Sequence, residues 1–186
     1  MISLGHPITT AHLVLRPFVE DDLDALYDIQ RREDVNRYLY SSPRTRDEVR
    51  AKLVERITFT TLEDEGDTLL LAVALRDSGT LIGDVNLHWT SRTHRQGEIG
   101  YVLHPDHRGR GYAAEATRPL IQLGFEKLDL HRIVGRLDGR NAASMRVLEK
   151  LGMRREAHLV ENEFVKGEWT DEVIYAILAR EWHPDN

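Results

Sequence analysis

Cysteine is absent from this chain. Disulfide bridges and a thiol nucleophile are therefore excluded, and a cytoplasmic setting is the expectation. Long apolar runs are missing as well. No stretch approaches the roughly 20 residues that cross a bilayer, so no membrane partner is expected. The opening "MISLGHPITT" lacks a basic start followed by an apolar segment, and no signal peptide is expected. There is no basic surplus either. A net charge of -6 argues against a nucleic-acid partner. The nine histidines form no H-E-x-x-H or Cys/His cluster, so no metal is expected. Linkers, repeats and low-complexity segments are lacking. That leaves 1–186 as one expected domain, long enough to bury a sizeable core.

What is present is uneven. Residues 20–34 carry seven acids against Arg31 and Arg32, whereas residues 131–155 carry six arginines and Lys150 against Asp138 and Glu149. Such blocks suit an anion in one place and a cation in another, or they are solvated faces. Strands are expected at 12–18, 68–76, 80–89, 96–104, 131–137 and 172–179. The run 68–76 is continuously apolar, as a strand buried on both faces requires. Helices are expected at 19–32, at 45–62 with Thr45 and Glu48 as a capping box, from Tyr112 to about Leu128, and at 141–152 with Asn141 as cap and Gly152 as stop. Pro119 should kink the third of these. Strands first, then alternating strand and helix, imply a mixed α/β sheet with helices on its faces.

The segment "HPDHRGRGYAAEA", residues 104–116, stands apart. A helix entrance offers amides with no intrahelical partner and the positive end of a dipole. Glycines let a ligand approach the backbone. Arg108-Gly109-Arg110-Gly111 running into a helix at Tyr112 is therefore suited to phosphate oxygens. Gly109-x-Gly111-x-x-Ala114 also matches a dinucleotide fingerprint. However, five residues separate it from its strand, and only 75 follow Gly111, which argues against that reading. No Lys-Ser/Thr follows the glycines, which excludes a P-loop.

The residues 108–113 resemble the R/Q-x-x-G-x-G/A loop of the GCN5-related N-acetyltransferases. The resemblance extends to "LVLRPFVEDDLDALYDI", "GEIGYVLHPDHRGRGYAAEA" and "NAASMRVLEKLGM". "FVKGEWTDEVIYAILAREW" resembles the ending of the RimJ/RimL-like branch, the ribosomal-protein N-terminal acetyltransferases. The resemblance implies that family's fold, a mostly antiparallel sheet of about six or seven strands with helices on both faces. It implies acetyl-coenzyme A as co-substrate and a primary amine as acceptor, a protein N-terminus in this branch. It further implies that Arg108, Gly109, Arg110, Gly111, Tyr112 and Ala113 hold the pyrophosphate, and that the backbone of Tyr101, Val102 and Leu103, splayed from the next strand, binds the thioester and pantetheine. Asn141 is implied to bond the pantetheine arm. A homodimer is common in the family, but no interface signal stands out in this sequence.

Glu98, a carboxylate on a strand otherwise suited to burial, is by resemblance the base that takes the amine's proton, directly or through water. An amine near pKa 10.4 costs about 4.6 kcal/mol to deprotonate at neutral pH, but an α-amine near 7.8 costs only about 1 kcal/mol. Many members place a tyrosine at the position of Leu148 to protonate the departing thiolate. Leucine leaves that role vacant here, and the RimJ/RimL-like branch assigns it to the serine at the position of Ser144. Asn141 and Ser144 also fit a plain helix cap. Acetylation of an aminoglycoside or polyamine on the same scaffold, or a non-catalytic coenzyme A-binding module, are the rival readings.

Overall fold

The computed structural model describes residues 2–183. Its strands are β1 (Ile2–Ser3), β2 (Ile8–Thr9), β3 (Leu13–Arg16), β4 (Thr61–Leu62), β5 (Thr68–Leu75), β6 (Leu81–Ser91), β7 (Gln96–Leu103), β8 (Arg132–Asp138), β9 (Arg154–Val165) and β10 (Glu168–Leu178). Its α-helices are α1 (Leu23–Gln30), α2 (Glu33–Asn36), α3 (Arg46–Thr58), α4 (Tyr112–Lys127) and α5 (Ala142–Lys150). Eight strands form one sheet in the order β2-β3-β5-β6-β7-β8-β10-β9, and β1 pairs with β4 beside it. Every neighbouring pair in the large sheet is antiparallel except β7–β8. Eight strands exceed the six or seven expected, because β2 is very short and β9 is almost wholly exposed, so neither carries an apolar pattern.

β5 shows how the sheet supports two cores. Successive side chains point to opposite faces of a strand. Leu69, Leu71 and Val73 accordingly join α4 residues such as Leu120 and Ile121 in one core, while Leu70 and Ala72 join Phe18, Leu26, Val49 and Leu53 in the other. α4 and α5 thus cover one face, and α1 and α3 cover the opposite one.

Several boundaries differ from expectation. The expected helix 19–32 begins as a 3-10 turn over Glu20–Asp22 and becomes α-helical only at Leu23. Asp22 is the reason: its carboxylate takes both terminal nitrogens of Arg16, at 2.8 and 2.6 Å, and the Val19 amide at 2.9 Å. The expected helix 45–62 opens on the Thr45–Glu48 capping box but stops at Thr58, since Thr61–Leu62 leave to pair with β1. The last strand begins at Glu168 rather than 172. Pro119 lies inside α4, which runs to Lys127, close to the expected end near Leu128. In the basic block 131–155, four of the six arginines are taken up by acids. Arg132, Arg136, Arg140 and Arg154 meet Glu156, Glu98 and Glu172, Asp138 and Glu168, and Glu181 respectively.

Candidate active site

β7 and β8 pair in parallel only over Gln96–Glu98 and Arg132–Val134. Beyond that, β7 keeps β6 as its partner up to Leu103, and β8 keeps β10 up to Asp138. The two strands diverge, and a cleft of about 230 Å³ opens between them. Residues 99–102 of β7 and 135–138 of β8 line it. A strand directs its backbone polar groups alternately to its two edges. On the diverging edge of β7, the backbone groups of Tyr101 and Leu103 have lost the β8 ladder, and the Leu103 carbonyl accepts from Arg108 instead, while the Val102 carbonyl is turned toward Gly83 of β6.

On the α4/α5 face the chain presents main-chain donors. Gly111 is the N-cap of α4 at φ +85°, where no side-chain cap is present, and Gly109 sits at φ +77°. The first bond into the helix runs from the Glu115 amide to the Gly111 carbonyl at 3.0 Å. The amides of Tyr112, Ala113 and Ala114 therefore have no intrahelical acceptor. Arg108 folds back so that its Nε donates to the Leu103 carbonyl at 3.3 Å, and Arg110 is exposed. A Cβ built on Gly111 would meet Lys150 Nζ at 3.5 Å. That ammonium, from the end of α5, is a cation at the entrance that sequence spacing did not single out. An uncapped entrance with positive-φ glycines and an adjacent ammonium fits a diphosphate.

α5 ends beside this entrance and starts at the cleft. Asn141 caps it, its Oδ1 accepting from the Ser144 amide at 3.1 Å, which leaves the Asn141 amide nitrogen as a donor. Asn141, Ser144 and Leu148 all line the cleft. Leu148 is buried, and a Cβ on Gly135 would come within 3.0 Å of it, so the absence of a side chain at 135 lets α5 sit close to β8. Tyr101 reaches from β7 to the start of α5. Its hydroxyl is 2.7 Å from Ser144 Oγ and 3.1 Å from the Ser144 carbonyl oxygen. Burial pushes the phenol up to about 12.

The opposite face carries acids and arginines. Glu98, the last β7 residue paired with β8, sits at the apex of the divergence and points to this face. Its side chain is 34% exposed. Arg136 on β8 holds Glu98 at 3.4 Å and Glu172 at 3.1 Å, and Asn162 Nδ2 donates to Glu172 at 3.0 Å. Burial holds the Glu98 carboxyl above its ordinary range; Glu172 adds to this, and Arg136 and His88 oppose it. Glu98 is not itself among the residues lining the cleft and meets the lining through Arg136. A hydroxyl from a distant segment joins here. Tyr40 donates to Glu163, and burial raises its pKa, with Glu163 as the next cause. Lys166 on the β9–β10 hairpin donates to the Asn36 carbonyl, which docks the hairpin on the segment that carries Tyr38 and Tyr40. Neither Tyr40 nor Arg136 was legible from motif spacing.

Of the candidate residues, Tyr101, Val102, Asn141 and Ser144 line the cleft, Glu98 meets that lining through Arg136, and Leu103 and the 108–113 loop lie outside it. Among the described residues no cluster of His, Asp and Glu could hold a metal, and no helix is long and apolar enough to cross a membrane.

Comparison with known proteins supplies the family. Residues 12–154 match the acetyltransferase (GNAT) domain. The uncharacterized N-acetyltransferase YnaD of Bacillus subtilis is 33% identical over 177 residues, 95% of this chain and 99% of that protein. YdaF of the same organism, named provisionally as a ribosomal N-acetyltransferase, is 29% identical over 92% of this chain and 93% of its own length. Among solved structures, a GNAT-family acetyltransferase from Bacillus anthracis superposes with a TM-score of 0.82 at 30% identity, covering 94% of this chain and 99% of that one. Spermidine N-acetyltransferase from Vibrio cholerae, solved with CoA and spermine, does so with a TM-score of 0.77 at 25% identity, covering 95% and 100%. Diverging strands, an uncapped glycine entrance and an end-to-end match to these enzymes lead to one conclusion: the chain belongs to the GCN5-related N-acetyltransferases, which use acetyl-CoA as acyl donor.

Proposed function

We propose that this enzyme acetylates a protein N-terminal α-amine. The observation that carries the reading is the charge of the cleft wall. Its two acids, Glu163 and Asp138, are matched in number by its two cations, Arg37 and Arg136. A polycation with several ammonium groups finds no surplus of carboxylate there, whereas one α-amine on a peptide needs none. The α-amine also makes the smaller demand on a base, about 1 kcal/mol at neutral pH against about 4.6 for a lysine-type amine. YdaF, similar over nearly its whole length, carries a ribosomal N-acetyltransferase name.

In this reading the amides of Gly109 to Ala113, with Arg108, Arg110 and Lys150 nearby, hold the diphosphate of acetyl-CoA. Asn141 bonds the pantetheine arm. The free edge of β7 at Tyr101, Val102 and Leu103 orients the thioester and donates to its oxygen as charge develops there. The acceptor enters from the Tyr40 side. Its nitrogen lone pair forms the new C–N bond, the C–S pair leaves on sulfur, and a nitrogen proton passes to Glu98 through a water relay. Ser144 donates a hydrogen bond to the departing sulfur. The described residues contain no thiol, so no thiol-bound acyl-enzyme arises.

Spermidine is the second reading, favoured by the likeness to the Vibrio cholerae enzyme. Steady-state kinetics on peptides with Ser, Ala and Met N-termini, on spermidine and spermine, and on an aminoglycoside decide between them. The expected outcome is highest kcat/KM on a peptide, with the acetyl group located on the α-nitrogen by fragmentation mass spectrometry. Higher kcat/KM on spermidine overturns the N-terminal assignment.

A further inference from the structure

We infer that Tyr101 is a positioning residue for leaving-group departure: its hydroxyl and that of Ser144 form a two-hydroxyl donor chain aimed at the sulfur of the acyl carrier. The inference rests on the acetyl-transfer reading of this cleft and assigns a side chain that the reading leaves without a role. On the α5 wall of the cleft, among the described residues, Tyr101 and Ser144 supply the hydroxyls. Leu148, one turn further along α5, supplies only hydrocarbon. The Tyr101 oxygen is 2.7 Å from Ser144 Oγ and 3.1 Å from the Ser144 carbonyl, so one phenolic proton has two acceptors and the serine proton has two directions.

Two arrangements follow from counting protons. In the first, Tyr101 donates to the carbonyl and Ser144 donates to Tyr101, and nothing is offered to the cleft. In the second, Tyr101 donates to Ser144 Oγ and the serine proton points into the cleft. A negative sulfur selects the second arrangement, because only there does a hydroxyl proton face it. Hydrogen bonds in such a chain strengthen one another. When the C–S bond breaks, its electron pair stays on sulfur, the Ser144 proton bridges to it, and the Tyr101 proton bridges to Ser144 Oγ. Both hydroxyls keep their protons, and the sulfur takes its own from water. A phenol at about 12 stays protonated throughout, well above the roughly 8.5 of an ordinary thiol.

The test uses the full chain with Tyr101→Phe, Ser144→Ala and the double variant. Coenzyme A and desulfo-coenzyme A, which lacks the sulfur, are titrated calorimetrically from pH 7 to 10. This comparison needs no acceptor. In the wild type the preference for coenzyme A over its desulfo analogue should grow as pH rises through the thiol's range, because the donor chain favours the thiolate. Both single variants should bind desulfo-coenzyme A within about twofold of wild type and lose that growth. With an accepted amine, kcat should fall about 10-fold in Tyr101→Phe and about 30-fold in Ser144→Ala, and the double variant should match Ser144→Ala, as members of one unit do. The inference is overturned if Tyr101→Phe keeps the pH-dependent preference, if it loses desulfo-coenzyme A binding as well, or if the two kcat losses multiply. Absence of turnover on every amine would count against the acetyl-transfer reading, and the coenzyme A comparison would still decide the hydroxyl pair.

Discussion

The two faces of the cleft are built by different means. In the proposed reading, the donor side is assembled from main-chain groups within one short segment, the Arg108–Ala113 entrance, with the end of α5 beside it. The acceptor face is assembled from side chains that arrive from four places: Tyr40 from the segment after α2, Glu98 from β7, Arg136 from β8, and Glu163 from β9. Backbone recognition tolerates change in most side chains but none in the conformation that exposes the amides. Side-chain recognition is spread over several groups, with Arg136 held by two acids at once, so single losses should cost less. The donor face should therefore fail abruptly and the acceptor face gradually.

The largest expected effect tests the abrupt side. Gly111→Val places a β-branched residue at φ +85° and a side chain over the entrance. Affinity for coenzyme A should drop by about 100-fold, read by calorimetry, which is about 2.8 kcal/mol at about 1.4 per tenfold. Undiminished capture would remove the entrance from the site.

Glu98→Gln comes next. With Glu98 as base, the group must be ionised to accept a proton, and its pKa is raised by burial. Wild-type kcat/KM should then fall as pH drops through a value above the ordinary carboxylate range near 4.3. The variant should lose about 30-fold in kcat/KM and keep only the acid limb set by the α-amine's own pKa near 7.8. A loss under tenfold at all pH values would exclude Glu98. Arg136 pulls the Glu98 pKa down, so Arg136→Met should carry the acid limb to higher pH.

Smaller effects sharpen the contrast. Lys150→Ala should raise KM for acetyl-CoA about fourfold in low salt and less in high salt, because its exposed ammonium acts through screened charge. Smallest is Tyr40→Phe. It removes one exposed hydroxyl from Glu163 and should raise the acceptor KM about twofold while leaving acetyl-CoA kinetics unchanged. An acceptor KM changed tenfold would show that this face fails abruptly too.

Much of the donor face was legible beforehand because its parts are local. Glycine at a helix entrance and Asn141 three residues before Ser144 are patterns of spacing within one turn, as is Glu48 three residues after Thr45 on the opposite face. The strand β5 was legible because burial on both faces demands an unbroken apolar run. β9 was not, because an edge strand with solvent on most of its residues imposes no period on its side chains. The end of α3 was not, because what stops it is the pairing of Leu62 with Ile2, sixty residues away in the chain.

The chain's own order of residues therefore specified the family, the acyl carrier and the uncapped helix entrance, since each depends on neighbours within a few positions and on backbone conformations that only certain residues adopt. Folding alone decided that Tyr101 would meet Ser144, that Arg136 would stand between Glu98 and Glu172, and that Tyr40 would reach Glu163. Those meetings join residues 36 to 123 positions apart. Only strand order, and the point at which β7 and β8 part, brings such residues within hydrogen-bond distance.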